Sequence, residues 1–233
     1  MLFALLGGLF GCGALVLVLV VMVLALAKSQ ADTTAREIQA GYVSGLLDFH
    51  PGLLAELSTT LVGSFHYYRP MGGARTLKLA GKVPSWRFTG DVLAISAELT
   101  PRRREGHVAI TTNAVRVDLT QAGDYWHASM NGSALGAIHL PSGRVFDPFR
   151  NELGYCLRPA GSPGPFVLRG VELAWVAPGA HFAENPVANL HPLLRLGVPQ
   201  PNPEACGWLL AIIGLELGVH AMPSGGSVVA GVP

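Results

Sequence analysis

The chain begins with one long apolar run. From Leu2 to Ala27 it has no charged side chain and no strong hydrogen-bonding side chain. At about 1.5 Å rise per residue, a helix of this length spans about 39 Å, more than the ~30 Å hydrocarbon core of a bilayer. We therefore predict a single membrane-spanning helix, after which the chain folds in water beside the membrane.

Three other interpretations of this run compete with a retained anchor. Ala25-Leu26-Ala27 has the form of a signal-peptide cleavage site, but no basic residue precedes the run and the run is longer than the usual apolar core of about 7–15 residues. Leu9-Phe10-Gly11-Cys12 has the form of a lipoprotein signal, again without a basic start. A buried core helix is the third alternative, and the length and uniform apolarity of the run argue against it.

Small residues recur at helical spacing in the first half of the anchor. Ala4, Gly8 and Cys12 lie four residues apart, as do Gly7 and Gly11. Such a face lets two helices approach closely in lipid, so we predict a helix–helix contact with a second copy or a partner. The alternative is that glycine is simply frequent in membrane helices.

The period of the apolar residues changes after the anchor. A capping-box pattern at Thr34–Glu37 begins one predicted helix, and a second short helix is predicted over 53–61. From residue 64 to about 140 the period is two, which predicts antiparallel strands. The predicted fold class is α+β: one N-terminal transmembrane helix, then helices packed on a mainly antiparallel twisted sheet.

Two details of this strand region need an explanation. The alternation over 108–112 and over 115–119 has opposite parity, which predicts a bulge or break near Asn113. Residues 137–140 are predicted to add an edge strand.

Proline is concentrated after Pro141, and this shift in composition predicts a boundary. One strand, over 166–176, is predicted beyond it. The apolar run over 208–217 is too short to span a bilayer and contains Glu216, so a buried or interfacial helix is predicted there. The predicted units are an anchor (1–29), an α+β membrane-proximal domain (30–140) and a Pro-rich extension (141–233).

Charge is sparse and balanced, with 16 basic and 15 acidic residues, which argues against a nucleic-acid partner. The basic residues are nevertheless concentrated in one stretch, and we predict a basic face there that meets anionic lipid headgroups or an acidic partner. The alternative is that the three consecutive arginines are a solvated hairpin tip. The predicted face comprises Arg69, Arg75, Lys78, Lys82, Arg87, Arg102, Arg103 and Arg104.

Two cysteines lie beyond the anchor and belong to no metal-binding pair. Cys156 and Cys206 could form one disulfide if the domain faces an oxidising compartment. In the cytoplasm they would instead be two small buried side chains.

Candidate catalytic or metal-binding residues are few. His181, Glu184 and His191 have ligand-type side chains, but the prolines among them place them on loops. His107 and His127 could be neighbours on adjacent strands. Asp118 and Asp124 could be imagined as paired carboxylates, although an aspartate in a turn is ordinary. No nucleophile elbow or phosphate-binding loop is present. We therefore predict a protein that is not an enzyme and has no cofactor or metal.

Several short patterns occur in order between residues 8 and 130. They are Gly11-Cys12-Gly13 in the anchor, Pro51 to Leu57 before the sheet, Gly90 and Gly106 each leading a strand, and Gly123-Asp124-Tyr125-Trp126. In this order they resemble bacterial members of the cytochrome c oxidase assembly protein 1 family. Ser58 stands where the family has glycine, 69–86 has no clear counterpart, and the chain from 141 onward lies outside the resemblance. The resemblance implies helices on a twisted sheet beside a membrane, with a non-catalytic role in assembly or docking.

These expectations combine into one functional prediction. The chain is predicted to be a membrane-anchored accessory or assembly subunit that docks on a membrane protein complex; the alternative is a membrane-tethered sensory or small-ligand-binding domain. The positive-inside rule, taken literally, would place the domain in the cytoplasm. The mitochondrial relatives implied by the resemblance face the intermembrane space, which favours a periplasmic or extracellular domain in the cell membrane.

Overall fold

One continuous helix, α1 (Leu2–Gln39), opens the chain. The computed structural model describes residues 2–57, 61–63, 67–71, 74–85, 87–100, 103–156, 164–176 and 193–220, with side chains except at 2–14, 67–71, 74, 75 and 220. By length and composition α1 is a candidate membrane span, and its apolar side chains from Leu15 to Met22 are exposed. The predicted helix at Thr34 is not separate: Thr34 lies inside α1.

Antiparallel strands follow in an up-and-down arrangement. Among the described residues, twelve strands form one sheet in chain order, and each strand pairs with the next. They are β1 (Tyr67–Met71), β2 (Ala74–Pro84), β3 (Asp91–Thr100), β4 (Glu105–Thr111), β5 (Arg116–Ala122), β6 (Tyr125–Met130), β7 (Ser133–His139), β8 (Arg144–Phe146), β9 (Glu152–Cys156), β10 (Gly164–Leu168), β11 (Val171–Val176) and β12 (Leu194–Leu196). The predicted antiparallel sheet is confirmed.

Of the bulge or break predicted near Asn113, the structure has the break: a hairpin turn changes the parity of the alternation there. β4 ends at Thr111 and β5 begins at Arg116. The Thr112 hydroxyl accepts hydrogen bonds from the backbone N–H groups of Ala114 and Val115, which closes the turn. The two alternating runs are therefore separate strands, and both direct their apolar residues to one core.

A second helix, α2 (Pro203–Leu215), lies in that core and continues as a π-helical turn over Glu216–His220. The Asn202 side chain caps it by accepting a hydrogen bond from the N–H of Ala205 at 2.8 Å. Every residue of α2 from Ala205 onward is buried. A helix that is apolar on all sides is stable only in such surroundings. The predicted short apolar helix is confirmed as a buried one.

Glycines allow α2 to lie close to the sheet. A Cβ atom on Gly214 would overlap Cδ1 of Ile110 on β4. One on Gly207 would lie 2.8 Å from Sδ of Met130 and 3.0 Å from Cδ1 of Leu135. Contact with β4 to β7 follows the helix along its length.

The sheet continues through residue 141, where a boundary was predicted. β7 pairs with β8 across it, and one buried apolar cluster contains residues from both sides. Residues 137–140 are not an edge strand, because most of them belong to β7, which pairs on both sides. The single strand predicted over 166–176 is two strands, β10 and β11, separated by a turn at Arg169 and Gly170. The second predicted helix is a short 3₁₀ helix over Pro51–Glu56.

Candidate functional site: the junction between the anchor and the sheet

The last turns of α1 lie against the sheet on the face opposite to α2. Ala31, Thr34 and Ile38 are buried there at helical spacing. Ile38 packs with Ala94 of β3 and Ala109 of β4, in a cluster separate from the main core. We call this contact, between the end of α1 and the outward side chains of β2 to β5, the junction.

Strand register brings small side chains into rows beneath α1. Ala80, Ser96 and Ala109 lie side by side on three successive strands. Ala94 and Thr111 form the middle of the neighbouring row. Small side chains allow close approach of a helix, so α1 can pack against this part of the outer face. Large charged side chains at these positions would keep it away.

Two cations stand at the ends of the second row and hold the end of α1. At one end the Lys82 ammonium donates to the carbonyl of Ser44 at 2.8 Å and lies 3.9 Å from Oε2 of Glu37. At the other end Nη1 of Arg116 donates to the carbonyl of Ile38 at 2.8 Å. Helix C-termini carry partial negative charge, so the Arg116 cation at the Ile38 carbonyl is stabilising.

The end of α1 is set by its own sequence as well. Gly41 has φ = 78°, and its N–H donates to the carbonyl of Ile38 at 3.1 Å. Glycine adopts this left-handed conformation without a Cβ penalty, and it terminates helices for this reason. The helix is therefore continuous from the apolar run to the junction, where it ends against the sheet.

Asp118 fixes the orientation of Arg116. Its carboxylate accepts two hydrogen bonds at 2.9 Å from the guanidinium and lies 3.4 Å from Nε2 of His107. Burial raises the pKa of Asp118, but the hydrogen bonds from His107 and Arg116, with their charges, outweigh burial and lower the pKa from 3.8 to about 2. The carboxylate is therefore ionised throughout the physiological range.

The lowered pKa of Asp118 gives a pH dependence. A carboxylate with a depressed pKa stabilises the fold above its unfolded pKa of 3.8, and this stabilisation is lost as the pH falls towards 2. Asp118→Asn should cost about 1 kcal/mol at pH 7, after allowance for solvent screening, and should flatten the fall in stability between pH 4 and pH 2. Denaturant unfolding at several pH values measures both effects.

Asp124→Asn is the matched control, because Asp124 forms an exposed ion pair with Arg104. Exposed pairs contribute little, so this variant should keep the acid profile of the wild type. Equal profiles for Asp118→Asn and the wild type would contradict the role assigned to Asp118.

The predicted basic face stays a prediction, because the side chains of only five of its eight residues are described. Among the described side chains, four have an acidic partner: Lys78 with Glu98, Lys82 with Glu37, Arg87 with Glu56, and Arg104 with Asp124. Strand register explains the first pair, since Lys78 lies opposite Glu98. Arg103 is exposed at the hairpin tip, the side chains of Arg69 and Arg75 are not described, and Arg102 lies outside the described residues.

The predicted helix–helix contact and the predicted disulfide remain to be compared with the structure. The side chains of Ala4, Gly7, Gly8, Gly11 and Cys12 lie outside the described ones, so the helix–helix contact stays a prediction. No disulfide joins Cys156 and Cys206, which are both buried. The Cys206 thiol donates to the carbonyl of Pro201 at 3.5 Å, and burial raises its pKa.

The catalytic and metal candidates that lie among the described residues do not form the predicted pairs. His107 and His127 are not on adjacent strands, because both lie opposite Thr120 of the intervening β5. Asp118 and Asp124 each pair with an arginine. His181, Glu184 and His191 lie outside the described residues. In the part of the chain that the structure describes, no group of three His, Cys, Asp or Glu side chains is placed to hold a metal ion.

Comparison of the chain with protein-family models, curated proteins and solved structures finds no match. The resemblance to the cytochrome c oxidase assembly protein 1 family therefore stays a prediction.

Proposed function

We propose that the chain is a membrane-anchored, non-catalytic accessory or assembly subunit whose sheet domain docks on a membrane protein complex. The observation that carries this proposal is the junction. α1 runs without interruption from the apolar run to the sheet, where Ile38, Lys82 and Arg116 hold its end. A domain joined in this way to a membrane helix is held at a fixed distance and orientation, as a docking subunit requires.

The interior of the sheet supports docking over the alternative of a small-ligand site. Between the described strands and α2, apolar side chains are in close contact, and Gly214 and Gly207 leave no space there for a further carbon atom. A ligand site is normally a cleft of a few hundred Å³. The contact between α2 and the sheet is thus filled around these two glycines, and we place the partner on the outer surface and turns of the sheet.

Native electrophoresis after gentle solubilisation tests the proposal. The wild-type chain should migrate in a particle that contains a second protein chain. Ile38→Asp, which places a charge in the junction, should reduce that association while the chain remains in the membrane fraction. The main core lies on the other face of the sheet, so the sheet should keep its circular dichroism spectrum.

Tyr42→Asp is the matched control for Ile38→Asp, since Tyr42 is 71% exposed just beyond α1. It should leave the complex intact. A strictly monomeric wild-type particle would overturn the proposed function. Loss of the partner in both variants would show that the association does not depend specifically on the junction.

We also propose that the sheet domain lies on the periplasmic or extracellular side of the membrane, and an introduced thiol tests this. Cys156 and Cys206 are buried, so they should not react with a membrane-impermeant maleimide in intact cells. Ala114→Cys places a thiol on the exposed turn between β4 and β5. We expect labelling of this variant in intact cells, as a periplasmic or extracellular domain requires. Labelling only after lysis would place the domain in the cytoplasm.

A further inference from the structure

One edge of the sheet is formed by residues 61–63 and β1. Both segments pair with β2 on the side away from β3. Val62 exchanges backbone hydrogen bonds of 2.8 and 2.9 Å with Lys82, and β1 pairs with the first half of β2. Among the described strands, none pairs with the other side of β1. We call residues 61–63 and β1 together the free edge.

α1 crosses the strands almost at right angles, starting from the free edge. Near Gln30 it adjoins this edge, because a Cβ atom on Gly63 would lie 3.3 Å from Cβ of Gln30. Eight residues later, Ile38 packs with Ala94 of β3 and Ala109 of β4. Eight helical residues rise about 12 Å, which matches about two and a half strand spacings of roughly 4.8 Å. Followed back towards its N-terminus, the helix therefore leaves the sheet over the free edge.

The apolar run of α1 ends level with the free edge. Only three residues, about 4.5 Å of helix, separate Ala27 from Gln30. Val23, Leu24 and Ala27 are half-buried on the side of α1 that is buried in the junction, whereas residues 15–22 are exposed. The headgroup layer of a bilayer is about 5–7 Å thick on each side. A membrane that surrounds the exposed part of the run therefore has its headgroups beside the free edge.

The free edge has the composition and the backbone of a surface that contacts headgroups. Val62 is 49% exposed there. Residues 57–77 include two arginines and no acidic residue, and β1 contains two tyrosines. Tyrosine is enriched at membrane–water interfaces, and cations are attracted to anionic headgroups. The backbone groups of an unpaired strand need polar partners, which the hydrated headgroup layer supplies and the hydrocarbon core does not.

We propose that the free edge is a lipid contact surface, and that the sheet stands on the headgroup layer with its strands along the plane of the membrane. The inference rests on the membrane anchor of the proposed function and adds the bilayer as a partner of the sheet domain. Membrane helices lie about 20° from the bilayer normal on average, so strands that cross α1 at right angles run close to the membrane plane. Two contacts, the junction and the free edge, then set the orientation of the domain.

A strand from another protein fits the free edge less well than a lipid surface does. Pro70 lies on β1 and has no N–H to donate. Proline on an edge strand discourages pairing with a further strand. A second protein would also have to displace the headgroups that surround the end of the apolar run.

Spin labelling of the purified full chain in vesicles of phosphatidylethanolamine and phosphatidylglycerol tests this inference. In a Cys12→Ala background, Val62→Cys carries a nitroxide at the free edge, and Ala134→Cys carries one at an exposed position of β7 as the control. The native Cys156 and Cys206 are buried and should stay unlabelled. The nitroxide at 62 should lie within about 5 Å of the lipid phosphates, given the helix rise between the apolar run and the edge. It should collide with a water-soluble nickel chelate several-fold less often than the nitroxide at 134.

Photo-crosslinking in the protein's own membranes gives a second measurement. p-Benzoylphenylalanine in place of Val62 should form adducts with lipid, whereas the same probe in place of Ala134 should not. Adducts at 62 that contain only another protein, or only a second copy of the chain, overturn the inference. Val62 is exposed, so both substitutions there should keep the circular dichroism spectrum of the wild type.

The outcomes separate this inference from the proposed function. Equal collision rates at 62 and 134 in a chain that stays in the vesicles overturn the lipid contact and leave the docking function standing. A strictly monomeric particle after solubilisation overturns docking, but the vesicles contain no partner protein, so the lipid contact stands. A folded chain that is not retained in the vesicles overturns both.

Discussion

Trp208→Ala should lower the free energy of unfolding by about 3–5 kcal/mol, a large part of the stability of an ordinary domain. Trp208 is fully buried on α2. Its removal loses the transfer free energy of a large side chain and leaves a cavity against the sheet. Its Nε1 makes no hydrogen bond in the described structure, so no hydrogen bond is lost. The effect should therefore lie towards the lower end of the range.

Trp175→Ala is the matched control for this substitution. Trp175 lies on β11, is 43% exposed and donates a 2.7 Å hydrogen bond to Glu172. Its loss should cost less than about 1 kcal/mol, because exposed contacts contribute little. Urea unfolding of the solubilised chain, followed by far-UV circular dichroism, measures both variants. Equal losses for the two tryptophans would contradict the position of α2 in the core.

The strands could be predicted from the sequence because their signal is local. Alternation over 93–99, 108–112, 115–119 and 126–130 corresponds to β3, β4, β5 and β6. The turn at Gly123 and Asp124 was also predictable, since glycine adopts its positive φ of 65° without strain. The parity change near Asn113 predicted a bulge or a break, and the sequence could not decide between them because a short hairpin and a bulge give the same local pattern.

The composition shift at residue 141 was a poor guide to the fold. Beyond it the strands are short, β8 having three residues, and the turns take up a larger share of the chain. Proline is tolerated in turns and at the ends of strands, so a proline-rich region can still belong to a sheet. The alternation within three residues is too brief to be recognised from the sequence.

The junction and the charge pairs could not be predicted, because they depend on register between distant segments. Ala94 is buried on a face that alternation alone assigns to solvent. Its neighbours Ala80 and Ala109 are outward-facing alanines on β2 and β4. This coincidence of small residues is the one feature of the sequence that indicates a helix packed on the outer face. Likewise, Arg116 reaches Ile38 across 78 positions of sequence. Four of the positive charges between Arg69 and Arg104 are paired with acids that the fold brings beside them.

The apolar surface of α1 leads to the second large effect. Leu17 and Val21 are 66% and 57% exposed and lie one helical turn apart. We expect the wild-type chain to stay in the membrane pellet on carbonate extraction at its full mass, as a retained anchor requires. Leu17→Asp with Val21→Asp should move most of it to the supernatant, since each Asp at the centre of a membrane helix costs about 2.5–3.5 kcal/mol.

The control for this double variant places one aspartate outside the helix. Tyr42→Asp lies beyond the end of α1 and should leave the chain in the pellet. Both sets of substitutions spare the junction, where Ala31, Thr34 and Ile38 cover the sheet, so the domain should stay folded in either case. A wild-type chain shortened by the mass of its apolar run would identify a cleaved signal instead. A full-length wild-type chain in the supernatant would mean that the exposed face of α1 contacts protein and not lipid.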